Sequence, residues 1–164
     1  TTERTPHAQF RMCRKTPAGT YLVPFTAEGV EREVGHDGRV LREFPRHPMP
    51  VCALRLEDGN TLIAADRAVR EYDRQDAVQW ELTPTDVPDI NLAVIAGLQR
   101  LDNGNTVVCN WGATDNGGRV GAHIIEVTPD KRVVWKLAGP ALGQVAQCQL
   151  LTAELTPHPA VLSR

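Results

Sequence analysis

The chain has 164 residues, 41% of them hydrophobic, and a formal net charge of −2. A chain of this length can bury one hydrophobic core, so residues 1–164 are expected to form a single domain. The nearly balanced charge and the absence of long basic runs argue against a nucleic-acid partner. No uncharged apolar stretch approaches the length of about 20 residues that a membrane-spanning helix needs, so no membrane span is expected.

The first residues, TTERTPHAQF, are polar and begin without Met. They lack the apolar segment of a signal peptide. We interpret them as a processed or truncated start, with residues 1–6 as a lead-in. The localisation stays open, because an exported parent protein would have carried its signal peptide upstream of this point.

From residue 7 onward, short apolar segments alternate with turn residues, which predicts a succession of β-strands. The first unit, residues 7–45, contains the segments HAQFRMCRK, TYLVPFT, GVEREV and RVLREF. The second unit, 49–83, contains VCALRL, NTLIAA, AVREYD and AVQWEL. The third unit, 93–138, contains LQRL, NTVVCN, HIIEVT and RVVWKL. A further segment, QVAQCQLL at 144–151, aligns with the first strand of a unit.

The three units are repeats of one another, offset by about 41 and 45 residues, which is the period of one propeller blade. Under this alignment, residues of the same type coincide, which predicts a structural role for Arg14, Arg55 and Arg100 and for Trp80 and Trp135. A helical repeat array has a similar period, but the short Val-, Ile- and Leu-rich runs favour strands. Four-stranded up-and-down sheets at this period are the blades of a β-propeller.

The recurring pattern L-x-N/D-G-N-T-L/V-I/V, V-x-E-x-D/T and V-x-W-x-L resembles bacterial propellers of the PQQ-like and arylsulfotransferase-like type. The resemblance covers nearly the whole chain. It implies that the fourth-strand residues Trp80 and Trp135 wedge between neighbouring blades and belong to the core. The adjacent cysteine pair and metal-ligand set of PQQ dehydrogenases are not visible, so neither a cofactor nor a metal site is predicted.

Three blades and one closing strand do not complete a ring, because propellers have about four to eight blades. We therefore predict an all-β partial ring of four-stranded antiparallel blades. An apolar blade face of about 400 Å² is at the limit of what a monomer exposes. We expect another copy of the chain, or an N-terminal fragment, to complete the ring. An open arc that is stable as a monomer is the alternative.

Two long irregular loops, 83–93 and 110–122, are predicted to lie on one rim, where recognition sites commonly occur. The candidate ligand-binding residues in these loops and on the closing strand are Asp86, Asp89, Asn91, Asn110, Trp111, Asp115, Asn116, Arg119 and Gln147. An exposed Trp can stack on a ring, so a small molecule or a carbohydrate is the expected ligand. The alternative is structural, because Asp and Asn in such loops commonly stabilise turns.

These observations favour a non-catalytic binding or assembly module that presents loops 83–93 and 110–122 on one face. The alternative is an enzyme. Arylsulfotransferase-like propellers use central histidines, and the resemblance implies that His7 and Arg11 act together in the central channel. Such a transferase or hydrolase would act on a sulfate or phosphate ester, which needs an activated histidine and cationic donors.

The four cysteines are Cys13, Cys52, Cys109 and Cys148. None belongs to a Cys-x-x-Cys pair, so a zinc site made of cysteines is not predicted. We interpret them as buried reduced thiols that pack as small apolar groups. A disulfide is the alternative, and it would indicate export.

Overall fold

The computed structural model describes residues 11–113 and 121–151. In these residues 12 strands form three four-stranded antiparallel sheets. Blade 1 consists of β1 (Arg14–Lys15), β2 (Tyr21–Phe25), β3 (Val30–Val34) and β4 (Val40–Glu43). Blade 2 consists of β5 (Pro50–Arg55), β6 (Thr61–Ala65), β7 (Ala68–Tyr72) and β8 (Val78–Leu82). Blade 3 consists of β9 (Ile95–Arg100), β10 (Thr106–Asn110), β11 (Ala122–Val127) and β12 (Val133–Ala138).

Within each blade the strands lie side by side in chain order, so every connection is a hairpin. The first hairpins of blades 2 and 3 turn at Gly59 and Gly104, which have φ angles of 91° and 83°. These positive values favour glycine because a Cβ would clash with the backbone. The predicted fold class is confirmed: three antiparallel blades that do not close a ring within the described residues.

The hydrophobic core lies between the blades. The larger cluster joins blades 2 and 3 and includes Leu54, Leu62, Val69, Ile95 and Val108. A smaller cluster joins blades 1 and 2 around Leu22, Phe44 and Tyr72. Blade 2 therefore has both faces covered, and its second strand β6 is buried along its whole length. This explains why the residues after Thr61, LIAA, are continuously apolar rather than alternating.

The first strands of the blades lie along the inner edge of the arc. Met12 pairs in parallel with Cys52 of β5, and its backbone N–H donates to the Val51 carbonyl at 3.1 Å. Strand β1 is shorter than the predicted segment 7–15, of which residues 7–10 lie outside the described residues. In the described part of the chain, no helix is long and apolar enough to cross a membrane.

Residues 144–151, called the closing segment below, pack on blade 3. The side chains of Val145, Cys148 and Leu150 contact the cluster around Val107 and Cys109. Residues 144–150 nevertheless form no strand. Leu151 forms a single β-bridge. Within the described residues, the predicted closing strand is therefore an extended segment with one bridge residue rather than a full strand.

Candidate functional site

A repeated ion pair joins each blade to the next. Arg55 of β5 donates to the carboxylate of Glu33 on β3. In the same way, Arg100 of β9 donates to Glu71 of β7 at 2.7 Å. The Arg100 and Glu71 side chains are only 22% and 10% exposed. Little solvent therefore screens this pair, which makes it stronger than a surface ion pair.

Blade 3 carries the acid of this ion pair without the arginine. The amide of Asn105 donates to Glu126 at 2.6 Å, just as the amide of Asn60 donates to Glu71 at 2.8 Å. In residues 11–113 and 121–151 no ion pair is formed by Glu126. The repeat alignment places Leu150 of the closing segment where an arginine would be needed. The third copy of the inter-blade contact is thus half formed.

The fourth-strand residue of each blade reaches toward the next blade. Arg42 of β4 donates to the Asp73 carbonyl of blade 2 at 2.8 Å. The half-buried Trp80 of β8 donates from Nε1 to the Pro129 carbonyl of blade 3 at 2.8 Å. Both acceptors lie in the hairpin between the third and fourth strands of the following blade, so the two interfaces have similar contacts.

Trp135 of β12 occupies the same position on blade 3. It lies opposite Glu126 in the sheet, as Trp80 lies opposite Glu71. Its side chain is 49% exposed. The expectation that Trp135 belongs to the core is therefore not met in this chain, because no described blade follows blade 3. We refer to the side of blade 3 that carries Glu126 and Trp135 as the open face.

The predicted alignment of Arg14 with Arg55 and Arg100 is corrected by the strand register. Lys15 lies opposite Tyr21 as Arg55 and Arg100 lie opposite Thr61 and Thr106, so Arg14 is one residue out of their register. Its Nη2 donates to the Leu98 carbonyl of β9 at 3.1 Å, across the inner edge of the arc. Because successive side chains of a strand point to opposite faces of the sheet, Arg14 cannot repeat the inter-blade ion pair of Arg55 and Arg100.

Loop 83–93 is held against blade 3 by Asp86. This carboxylate accepts hydrogen bonds from the backbone and hydroxyl groups of Thr83, both at 2.8 Å, and forms an ion pair with Lys131 at 2.8 Å. Burial opposes ionisation of Asp86, but the hydrogen bonds from Lys131 and Thr83 outweigh it and lower the pKa. The loop and β12 together line a hollow of about 790 Å³ that Asp89 and Trp135 border.

Asn110 is fully buried and connects the two long loops. Its Nδ2 donates to the Asn91 and Ala122 carbonyls at 2.7 and 3.0 Å, and its Oδ1 accepts from the Ala93 N–H at 3.0 Å. A side chain with these bonds has no accessible atom for a ligand. The candidate role of Asn110 in ligand binding is therefore corrected to a structural one.

Trp111 and Arg11 line a cavity of about 200 Å³ at the inner edge of the arc. Its other walls are mainly apolar and include Met49, Val94 and Ala146. Gln147 is exposed on the closing segment. The remaining candidates, His7, Asp115, Asn116 and Arg119, lie outside the described residues, so the pairing of His7 with Arg11 stays a prediction. Among the described residues, no group of three or more His, Cys, Asp or Glu side chains could hold a metal ion.

Sequence reasoning aligned Glu126 with Glu33 and Glu71 but did not identify it as part of a site. The glutamate recurs in every unit, but the closing segment has Leu150 at the repeat position of Arg100. This difference is the sequence pattern that could have indicated the site. No sequence pattern indicated that Met49 and Val94 would line the cavity beside Trp111.

Solved structures of similar fold are β-propellers, and that is the class to which this architecture belongs. A protein of unknown function from Bacteroides caccae is 26% identical, with a TM-score of 0.76, over 90% of this chain and 56% of that one. Virginiamycin B lyase from Staphylococcus aureus is 13% identical, with a TM-score of 0.57, over 86% of this chain and 45% of the lyase. The Pan2 WD40 domain from Neurospora crassa is 11% identical, with a TM-score of 0.62, over 92% and 44% of the two chains.

The chain thus spans about half the length of the structures that it matches. No protein-family model and no curated protein matches the sequence.

Proposed function

We propose that this chain is a non-catalytic assembly module of the bacterial PQQ-like propeller type, and that its open face binds a further blade. The observation that carries the proposal is the inter-blade contact, which is complete after blades 1 and 2 and half formed after blade 3. Glu126 and Trp135 are the two residues of the open face that have no counterpart from a following blade among the described residues.

A second copy of the chain offers the matching half. Its Lys15 lies opposite Tyr21 as Arg55 and Arg100 lie opposite Thr61 and Thr106. Its ammonium group can donate to Glu126 when the incoming first strand takes the place of the closing segment. Its hairpin at 35–38 corresponds to the hairpins that Arg42 and Trp80 reach, so a carbonyl there can accept from Trp135 Nε1. Two copies joined head to tail would contribute six blades, which is within the range of about four to eight known for closed propellers.

Closing the ring would also remove apolar surface from water. Covering the exposed half of Trp135 would contribute about 2–3 kcal/mol, since a buried Trp removes roughly 150–250 Å² from water at about 25 cal/mol per Å².

Light scattering on a size-exclusion column tests this proposal. We expect a species of twice the 18.0 kDa chain mass that dissociates on dilution. Glu126→Gln and Trp135→Ala should each raise the dissociation constant, the latter roughly 30-fold for a loss of about 2 kcal/mol. Glu57→Gln, an exposed change in a hairpin of blade 2, is the matched control and should leave it unchanged.

A single 18.0 kDa species at high concentration would overturn the self-assembly proposal. Blades from an N-terminal fragment of a longer chain would then be the remaining way to cover the open face. That outcome is recognised by a complex containing a second polypeptide of a different mass.

The cavity beside Trp111 is the place where we propose that a small ligand or carbohydrate binds. The indole offers a flat apolar surface, and Arg11 borders the same cavity. Titration with neutral and sulfated monosaccharides should quench Trp fluorescence in the parent chain. Trp111→Phe should weaken the binding at least several-fold. Equal binding by the variant, or no binding by the parent chain, would contradict this part of the proposal.

A further inference from the structure

The closing segment brings two thiols into contact. Cys109 lies on β10 and is buried, whereas Cys148 of the closing segment is only partly covered. Their Sγ atoms are 3.4 Å apart, and both thiols are reduced. A disulfide requires about 2.05 Å, so the two sulfurs need to approach by roughly 1.4 Å, a distance within reach of side-chain rotation and a small shift of the segment.

A glycine lets the segment come this close. Gly97 of β9 lies directly opposite Cys109 in the sheet. A Cβ at this position would lie 2.9 Å from the Ala146 carbonyl oxygen and 3.2 Å from Cys109 Sγ. Any larger residue would therefore push the closing segment away from β10 and separate the two thiols.

We infer that Cys109 and Cys148 form a disulfide when the chain meets a disulfide oxidant, and that this bond fixes the closing segment to blade 3. With glutathione disulfide as the oxidant, the Cys148 thiolate attacks one sulfur and forms a mixed disulfide, and one glutathione leaves as a thiolate. Cys109 then loses its proton and attacks Cys148 Sγ, which releases the second glutathione. The cysteine pair loses two electrons, and the glutathione disulfide gains them as two thiols.

The environment of the two thiols supports this order of events. The hydrogen bond from the Cys109 thiol lowers the pKa of Cys148 to about 7 against the effect of burial, and the positive charge of Arg14 acts in the same direction. The hydrogen bond with Cys148, together with burial, raises the pKa of Cys109. Cys148 is therefore the attacking thiol, because the thiolate is the reactive form, and Cys109 resolves the mixed disulfide.

The experiment is peptide mapping by mass spectrometry after incubation with glutathione disulfide and alkylation of the remaining thiols. We expect one cross-linked pair of peptides that contains Cys109 and Cys148. Cys148→Ser should abolish it, and Cys109→Ser provides a second test at the buried position. Cys13→Ser, which removes an exposed thiol, is the matched control and should retain the cross-link.

The melting temperature gives an independent readout. A bond that closes a loop of this length should raise it by about 10 °C relative to the reduced chain, and oxidation should not affect Cys148→Ser. Two free, alkylated thiols after full oxidation, or a cross-link to a different cysteine, would overturn the inference. An oxidised chain with an unchanged melting temperature would show that the bond does not fix the segment. The inference does not depend on ring assembly, because both thiols belong to one chain.

Discussion

Blades 2 and 3 carry the same glutamate and the same tryptophan in the same strand register, but only those of blade 2 meet a following blade. At the closed interface, Glu71 is paired with Arg100 and Trp80 donates to Pro129. At the open face, Glu126 keeps only a neutral amide partner among the described residues, and Trp135 is half exposed. A blade thus forms its strand register and the hydrogen bond from the asparagine amide to the glutamate by itself, whereas the ion pair and the covered tryptophan require a neighbouring blade.

The closed interface between blades 1 and 2 contains one unfavourable buried group. Glu31 of β3 is buried, and neither carboxylate oxygen has a hydrogen-bond partner among the described residues. The repeat alignment places it where blade 2 has the apolar Val69. Burial raises the pKa of Glu31 to about 8. The carboxyl group is therefore neutral in the folded chain at neutral pH.

The largest effect that we predict comes from this carboxyl group. Between its unfolded pKa of 4.5 and its folded pKa of about 8, the folded chain holds a proton that the unfolded chain has released. Stability must then fall as the pH rises through this window, by about 1.4 kcal/mol per pH unit. Urea unfolding from pH 5 to 8 should show this slope. Glu31→Gln should remove it, while Glu57→Gln should retain it. A parent chain whose stability does not fall over this range would refute the assignment.

The next largest effect should distinguish the two tryptophans. Trp80→Ala removes a side chain packed between blades and should lower the free energy of unfolding by about 3 kcal/mol. Trp135→Ala should lower it by less than 1 kcal/mol when the chain is monomeric, because half of that side chain is already exposed. Urea unfolding at micromolar concentration measures both. Equal losses would mean that the open face is already covered.

A smaller effect is expected at the ion pair. Arg100→Ala leaves Glu71 largely buried without its cation and removes the guanidinium that lies 5.5 Å from the Trp80 ring centroid. We expect a loss of about 2 kcal/mol in the free energy of unfolding. Arg39→Ala is the matched control, since its ion-paired side chain is 85% exposed, and it should change stability by less than about 0.5 kcal/mol. Similar losses for the two variants would show that the inter-blade ion pair stabilises the chain no more than an exposed surface ion pair does.

The smallest effect should come from the anchor of loop 83–93. Asp86→Asn removes the charge that attracts Lys131 while it retains an oxygen that can accept from Thr83, so a loss of about 1 kcal/mol is expected. Because the folded pKa of Asp86 is lowered, its contribution is present above the unfolded pKa of 3.8 and disappears as the pH falls through the folded value. The difference between parent and variant should therefore vanish in acid, which urea unfolding at low pH can check.

The strands, hairpins and number of blades followed from the sequence because each depends on residues close together in the chain. Asp-Gly and Asn-Gly turns between apolar runs determine which strands pair, and successive strands form each sheet. The repeat also identified Arg55, Arg100 and Trp80 as structural. Their partners were not predictable, since Glu33, Glu71 and Pro129 belong to neighbouring blades and come near only when the arc forms.

Tertiary structure alone decided the role of three further residues. Asn110 looked like a ligand-binding loop residue, yet burial between two loops directs its whole amide to backbone partners. Trp135 has the pattern of a core residue, but burial requires a neighbouring blade, which the local sequence does not contain. Cys148 meets Cys109 because the closing segment crosses a glycine on β9. Local hydrogen bonding is encoded in the order of residues, whereas contacts between blades depend on how the blades are arranged around the axis.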